Sequence, residues 1–79
     1  MKEEFAIILT EILEKTITPE DIQEDTDFIS HLGLTSLNTI YLVLEIESVF
    51  GVEIDFEEID VKTFFTYTSI KEYIERRQS

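Results

Sequence analysis

Ser36 is the next-to-last residue of the run Asp27-Phe28-Ile29-Ser30-His31-Leu32-Gly33-Leu34-Thr35-Ser36-Leu37 and is the side chain best placed to carry chemistry. Gly33 tightens the loop, Thr35 offers a cap, and Leu37, Ile40 and Leu44 follow at helical spacing, so a helix is predicted from about Ser36. A hydroxyl in that first turn meets unpaired backbone N–H groups and the positive end of the helix dipole. Such a position favours a phosphate ester, because the helix end stabilises the negative charge. The same spacing also fits an ordinary serine after a helix cap. Nucleophilic catalysis fits worse. A serine hydrolase needs a base and an orienting acid. The only histidine, His31, lies on the same loop and reads as an exposed loop residue, and Gly33-Leu34-Thr35-Ser36-Leu37 is not a nucleophile elbow. A calcium loop starting at Asp25 fails as well, with Ser30 in place of its glycine and Ser36 in place of its bidentate glutamate.

A wider pattern gives Ser36 a specific meaning. Leu32-Gly33-Leu34-Thr35-Ser36-Leu37, then Thr39-Ile40 and Leu42-Val43, then Glu47 and Phe50, resembles the acyl carrier protein family. That family reads Leu-Gly-Leu-Asp-Ser-Leu followed by an apolar helix, and the likeness runs from about Phe5 to Ile74. It implies an all-α fold, a small four-helix bundle with three main helices and one short third helix. It implies a covalent 4′-phosphopantetheine on Ser36, acyl groups held as thioesters, and no catalysis by the chain itself. The chain has no cysteine, so the thioester sulfur must arrive with the prosthetic group. The implied partners are a phosphopantetheinyl transferase and acyl-loading, elongation and acyl-transfer enzymes of fatty-acid, polyketide or related pathways.

The charge distribution supports basic protein partners. Residues 16 to 61 hold twelve acids and no Lys or Arg, while the two ends hold six acids and six bases. The net charge of −12 therefore lies around Ser36. Nucleic acid would be repelled, and enzymes with basic patches would be attracted. Added salt or divalent cation is expected to stabilise such a chain, with Glu53, Asp55, Glu57, Glu58 and Asp60 as weak, non-specific cation positions. Seventy-nine residues without a disulfide suit one small domain, residues 1–79, expected as a monomer. No apolar run approaches the ~18 residues of a membrane span. The start Met1-Lys2-Glu3-Glu4-Phe5 lacks signal-peptide character, so a cytoplasmic location without stable membrane insertion is expected.

The elements follow from periodicity. Phe5, Ile8, Leu9, Ile12 and Leu13 form one apolar stripe of a helix over residues 3–15, with Glu11 and Lys15 as an exposed pair. Thr18-Pro19-Glu20-Asp21 predicts one short helical turn, and Phe28 and Ile29 are expected to anchor the following loop. The helix from Ser36 to Phe50 is apolar almost all round, apart from Asn38 and Glu45. This predicts a central helix covered on most sides, ended by Gly51. Asp55 to Ile59 suits a short third helix, Lys62 to Tyr67 a connection that buries Phe64 and Phe65, and Thr68 or Ser69 the start of a last helix running to about Arg77.

Within the family likeness, Leu37 stands beside the arm and Glu47 matches a recurring acid. Thr35, Asn38, Tyr41, Glu57 and Glu58 complete the candidate partner-recognition positions. Many fatty-acid carriers have acids where this chain has Thr35, Asn38 and Tyr41, which points to a dedicated carrier of a specialised pathway. The alternative from another class is an unmodified acidic helical adaptor that binds a basic protein surface.

Overall fold

The computed structural model describes residues 1–78. Four α-helices follow in order: α1 (Lys2–Leu13), α2 (Ser36–Phe50), α3 (Val61–Phe64) and α4 (Tyr67–Gln78), with a 3₁₀ turn at Pro19–Asp21. The all-α bundle with three longer helices matches the expected fold class. Helix α1 packs on α2 and on the 3₁₀ turn, and α3 packs on α4. The centre is aromatic. The Phe5 ring lies 5.8 Å from Phe28, 5.4 Å from Phe50 and 5.7 Å from Tyr67 between centroids. A second group joins Phe64 to Phe65 and Tyr73 at 5.2 and 5.5 Å. Phe5, Phe28, Leu9, Ile22, Leu42, Ile46, Ile70 and Ile74 are fully buried. Truncating a ring such as Phe5 costs about 3–5 kcal/mol in a core of this kind.

Several boundaries differ from expectation. Helix α1 stops at Leu13 because Glu14 turns left-handed at φ 55°, so Lys15 never stands one helical turn from Glu11. The predicted third helix at Asp55 to Ile59 is a turn instead. Asp55 uses its carboxylate to accept the N–H of Glu57 at 2.8 Å, which closes the turn locally. The helix forms later, at α3, where Asp60 is the cap and its Oδ1 accepts the N–H of Lys62 at 3.0 Å. Phe64 and Phe65 are buried as expected, but Phe64 reaches the core from this helix rather than from a connection. Helix α4 starts at Tyr67, slightly earlier than the polar residues Thr68 and Ser69 suggest.

Helix α2 is the largest correction. Only Leu42, Val43 and Ile46 of its side chains are buried, and Leu37, Ile40, Tyr41 and Leu44 are each more than half exposed. Its apolar composition is therefore not the signature of a covered central helix. A surface of that size and kind on a small domain marks a place for another molecule.

Long-range hydrogen bonds fasten the loop before α2. The N–H of Phe28 donates to the Phe65 carbonyl at 2.8 Å, and the N–H of Tyr67 donates to the Thr26 carbonyl at 3.0 Å. These bonds pair Asp27 with Thr66 as one antiparallel bridge. The Thr68 hydroxyl adds a 2.6 Å bond to the Glu24 carbonyl. The loop is thus held against the start of α4.

Candidate functional site

Between Asp27 and Thr35 the chain folds into nested turns, each closed by a short-range bond. Asp27 Oδ1 accepts the N–H groups of Ile29 and Ser30 at 2.9 and 3.1 Å. The His31 N–H reaches the Asp27 carbonyl at 2.8 Å, and the Asp27 N–H donates to His31 Nδ1 at 2.9 Å. His31 is exposed, as expected, yet its imidazole helps to shape the loop. Nothing in the spacing signals that bond, because an Asp and a His four apart in a loop need share no turn. Of the two expected anchors only Phe28 is buried, while Ile29 is 38% exposed. The Gly33 N–H then donates to the Ile29 carbonyl at 3.0 Å, and Gly33 takes φ +79°. The space beside Gly33 is open, so glycine is required here by backbone conformation and not by crowding. Leu34 drops into the core and fixes the end of the loop.

Thr35 caps α2 reciprocally. Its Oγ1 accepts the N–H of Asn38 at 3.1 Å, and Asn38 Oδ1 accepts the N–H of Thr35 at 3.2 Å. The residues thus form a capping box in which Asn38 replaces the usual Glu or Gln. Ser36 is the first helical residue and is exposed. Among the described residues no side chain or carbonyl engages the Ser36 hydroxyl, and none takes the N–H of Ser36 or Leu37. The hydroxyl thus stands at a helix end with two spare donors beside it, in a position that stabilises an anionic substituent.

The other predicted residues spread over more than one surface. Leu37 and Tyr41 lie on the exposed side of α2. Asn38, Tyr41 and Glu45 line a shallow concavity of about 270 Å³ together with Glu11 and Ile12 of α1. Glu47 is half-buried and its Oε2 accepts the Ile54 N–H at 2.9 Å, which closes the turn after α2. Glu57 is exposed, and Glu58 pairs with Arg77 of α4. No group of three or more His, Cys, Asp or Glu among the described residues is arranged to hold a metal ion. The acids named as cation positions are engaged in turns and caps at Asp55 and Asp60 and in the Arg77 pair at Glu58. Ile40 and Leu44 are exposed as well, contrary to the covered helix expected. They are aligned with Leu37 at helical spacing, but the same spacing describes a buried stripe.

Comparison with known proteins matches residues 5–76 to the family described as the phosphopantetheine attachment site. The chain is 34% identical over 59 residues to an acyl carrier protein of Wolinella succinogenes, covering 75% of each. It is 33% identical over 63 residues to the acyl carrier protein of Chlamydia muridarum, covering 80% of this chain and 79% of that one. The chain belongs to the acyl carrier protein family. It carries acyl groups on a covalently attached 4′-phosphopantetheine, as the attachment domain implies. Membership also implies contact with a phosphopantetheinyl transferase and with acyl-handling enzymes. No helix among the described residues is long and apolar enough to cross a membrane.

Proposed function

We propose that Ser36 is the attachment residue and that this carrier, one domain over residues 1–79, serves a specialised acyl pathway without catalytic chemistry of its own. One observation carries the first part. Ser36 is exposed on a reciprocally capped helix end, and among the described residues its hydroxyl and the N–H groups of Ser36 and Leu37 have no partner. A phosphodiester at Ser36 Oγ places its charge against those donors. The prosthetic group supplies the terminal thiol, which this cysteine-free chain lacks. The chain's own residues hold the loop, cap the helix and present the surface that a partner reads. Leu37, Ile40 and Leu44 give that surface its apolar part, and the acids around it attract basic enzymes in the cytoplasm. The chain works as a monomer in this reading. Its specialised character follows from the neutral residues Thr35, Asn38 and Tyr41 at the start of α2.

Intact mass after co-expression with a phosphopantetheinyl transferase tests the assignment. The wild type should gain one phosphopantetheine, and Ser36→Ala should gain none while keeping its helical content. A modified Ala variant would move the site elsewhere. An unmodified wild type would favour the adaptor role.

A further inference from the structure

Ile7 points away from the core. Its neighbours Phe5, Ala6, Ile8 and Leu9 are buried, whereas Ile7 is 62% exposed, more than any other large hydrophobic residue among those described. Isoleucine is no better a helix former than the polar residues that usually occupy such a position. Glu3, Ile7 and Glu11 fall at i, i+4 and i+8, so one face of α1 reads acid, apolar, acid at one-turn intervals. That face borders a groove of about 440 Å³, walled by Ala6, Ile7 and Thr10 on one side and Ile17 to Pro19 on the other.

The second wall is fixed in place. The Thr10 hydroxyl donates to the Ile17 carbonyl at 3.1 Å and accepts the Ile17 N–H at 2.9 Å. The Thr18 N–H donates to Asp21 Oδ2 at 2.9 Å, and Pro19 stiffens the turn. The groove is therefore preformed, which lowers the ordering cost of filling it. Its side-chain charge is acidic: the Met1 ammonium pairs with Glu3 at 3.4 Å, and Glu11 is in no ion pair among the described residues. Lys2, the only base on α1, is drawn off to Glu24 at 3.5 Å and lies over the Tyr67 ring.

We infer that the α1 groove is a second protein-docking surface, separate from Ser36 and the α2 stripe. Its occupant is a helical segment of a partner that sets one large aliphatic or aromatic side chain between two Lys or Arg residues a turn away on each side. That spacing mirrors Glu3, Ile7 and Glu11. A second copy of this chain does not fit. The net charge of −12 opposes self-association, and a two-fold contact through this face would bring its acids together. The inference stands whether or not Ser36 is the attachment residue.

The test uses the full chain with labelled Ile and Leu methyl groups. The probe is a synthetic alanine-based helix carrying Lys, Leu and Lys at one-turn spacing, with a control in which the Leu is Ala. Saturating shifts at the Ile7 and Ile17 methyls with the Leu peptide and not with the control are expected. Ile7→Glu should weaken binding at least tenfold although it adds a negative charge, which purely electrostatic attraction would reward. The double change Glu3→Gln, Glu11→Gln should also weaken it, and both variants should melt like the wild type. Binding that survives Ile7→Glu overturns the inference. So do saturating shifts at Ile40 and Leu44 with none at Ile7 and Ile17.

Discussion

The Tyr73 hydroxyl on α4 accepts the backbone N–H of Asp55 at 2.9 Å, eighteen residues away in sequence. The same oxygen accepts from Arg77 at 2.9 Å and donates to the Glu53 carbonyl at 3.4 Å. Its donor and both acceptor positions are thus used. One phenol ties the segment after α2 to the last helix. Tyr73→Phe keeps the ring packed on Phe64 and leaves the Asp55 N–H without its partner. We expect a loss of about 1–2 kcal/mol in urea unfolding and faster hydrogen exchange at the Asp55 amide. Unchanged exchange there would show that water replaces the hydroxyl without cost.

Tyr67 makes stability fall at high pH. Burial first, and then the nearby carboxylates led by Glu24, push its phenol above the ordinary value of 10.0. The native state therefore holds this proton more tightly than the unfolded chain. Below about pH 10 the group has no effect on the pH slope, and stability falls as pH rises through the higher native value. Tyr67→Phe retains the contact with Phe5 and should flatten the alkaline limb of a plot of melting temperature against pH. An identical limb in both proteins would place the cause in another group.

Salt should stabilise the carrier. Among the described residues, the ion pairs of the acids in residues 16–61 are those of Glu24 with Lys2 and Glu58 with Arg77, so the self-repulsion of the middle segment is mostly unrelieved. Raising NaCl from low concentration to about 0.5 M, where the screening length falls to a few ångström, should raise the melting temperature. Magnesium at equal ionic strength should do little more, since no carboxylate group among the described residues is built for a metal. A large extra effect of magnesium would reveal a site that forms only when the ion binds.

The neutral residues Thr35, Asn38 and Tyr41 at the start of α2 should bias partner choice. Thr35→Asp keeps an oxygen for the Asn38 N–H, and Asn38→Asp keeps one for the Thr35 N–H, so the cap should survive both changes. Tyr41→Glu joins Glu11 and Glu45 around the same concavity and adds repulsion there. The triple variant should improve the loaded carrier as a substrate of a general fatty-acid-elongation enzyme, chiefly through a lower apparent KM that salt erases. Exposed charges contribute about 0.2–1 kcal/mol each, so the gain should stay within a few tens of fold. Equal efficiency of both proteins at low and high salt would remove these positions from partner selection.

Gly33 and the cap differ in what they demand. Gly33→Ala meets no neighbour but must hold φ +79°, so it should cost about 1–2 kcal/mol by thermal or urea unfolding. Thr35→Ala loses the acceptor for the Asn38 N–H and should cost about 0.5–2 kcal/mol. A neutral Gly33→Ala would mean the loop relaxes into another turn.

The Leu32-to-Leu37 run, the stop at Gly51 and the turn at Pro19 were legible in the sequence because each depends on residues a few positions apart. A cap, a left-handed glycine and a proline-led turn are local devices, and local bonds close them. The loop before α2 belongs to the same class, and so does the placement of Ser36 at the first helical position. Other features depended on what lies across the chain. Asp55 to Ile59 carries the signals of a helix start and Asp55 closes a single turn there, but the segment is tied to Tyr73 of α4 and the helix forms only from Val61. The apolar girth of α2 fixes how much of it is hydrophobic but not which side is covered. That side was decided by α1 packing on one flank, which buries Leu42, Val43 and Ile46 and leaves Leu37, Ile40 and Leu44 outward. The linear separation of acids from bases is also partly undone by folding, where Lys2 meets Glu24 and Arg77 meets Glu58. Periodicity reports the turns of one helix, whereas burial and charge pairing report its neighbours, and those exist only once the chain has closed on itself.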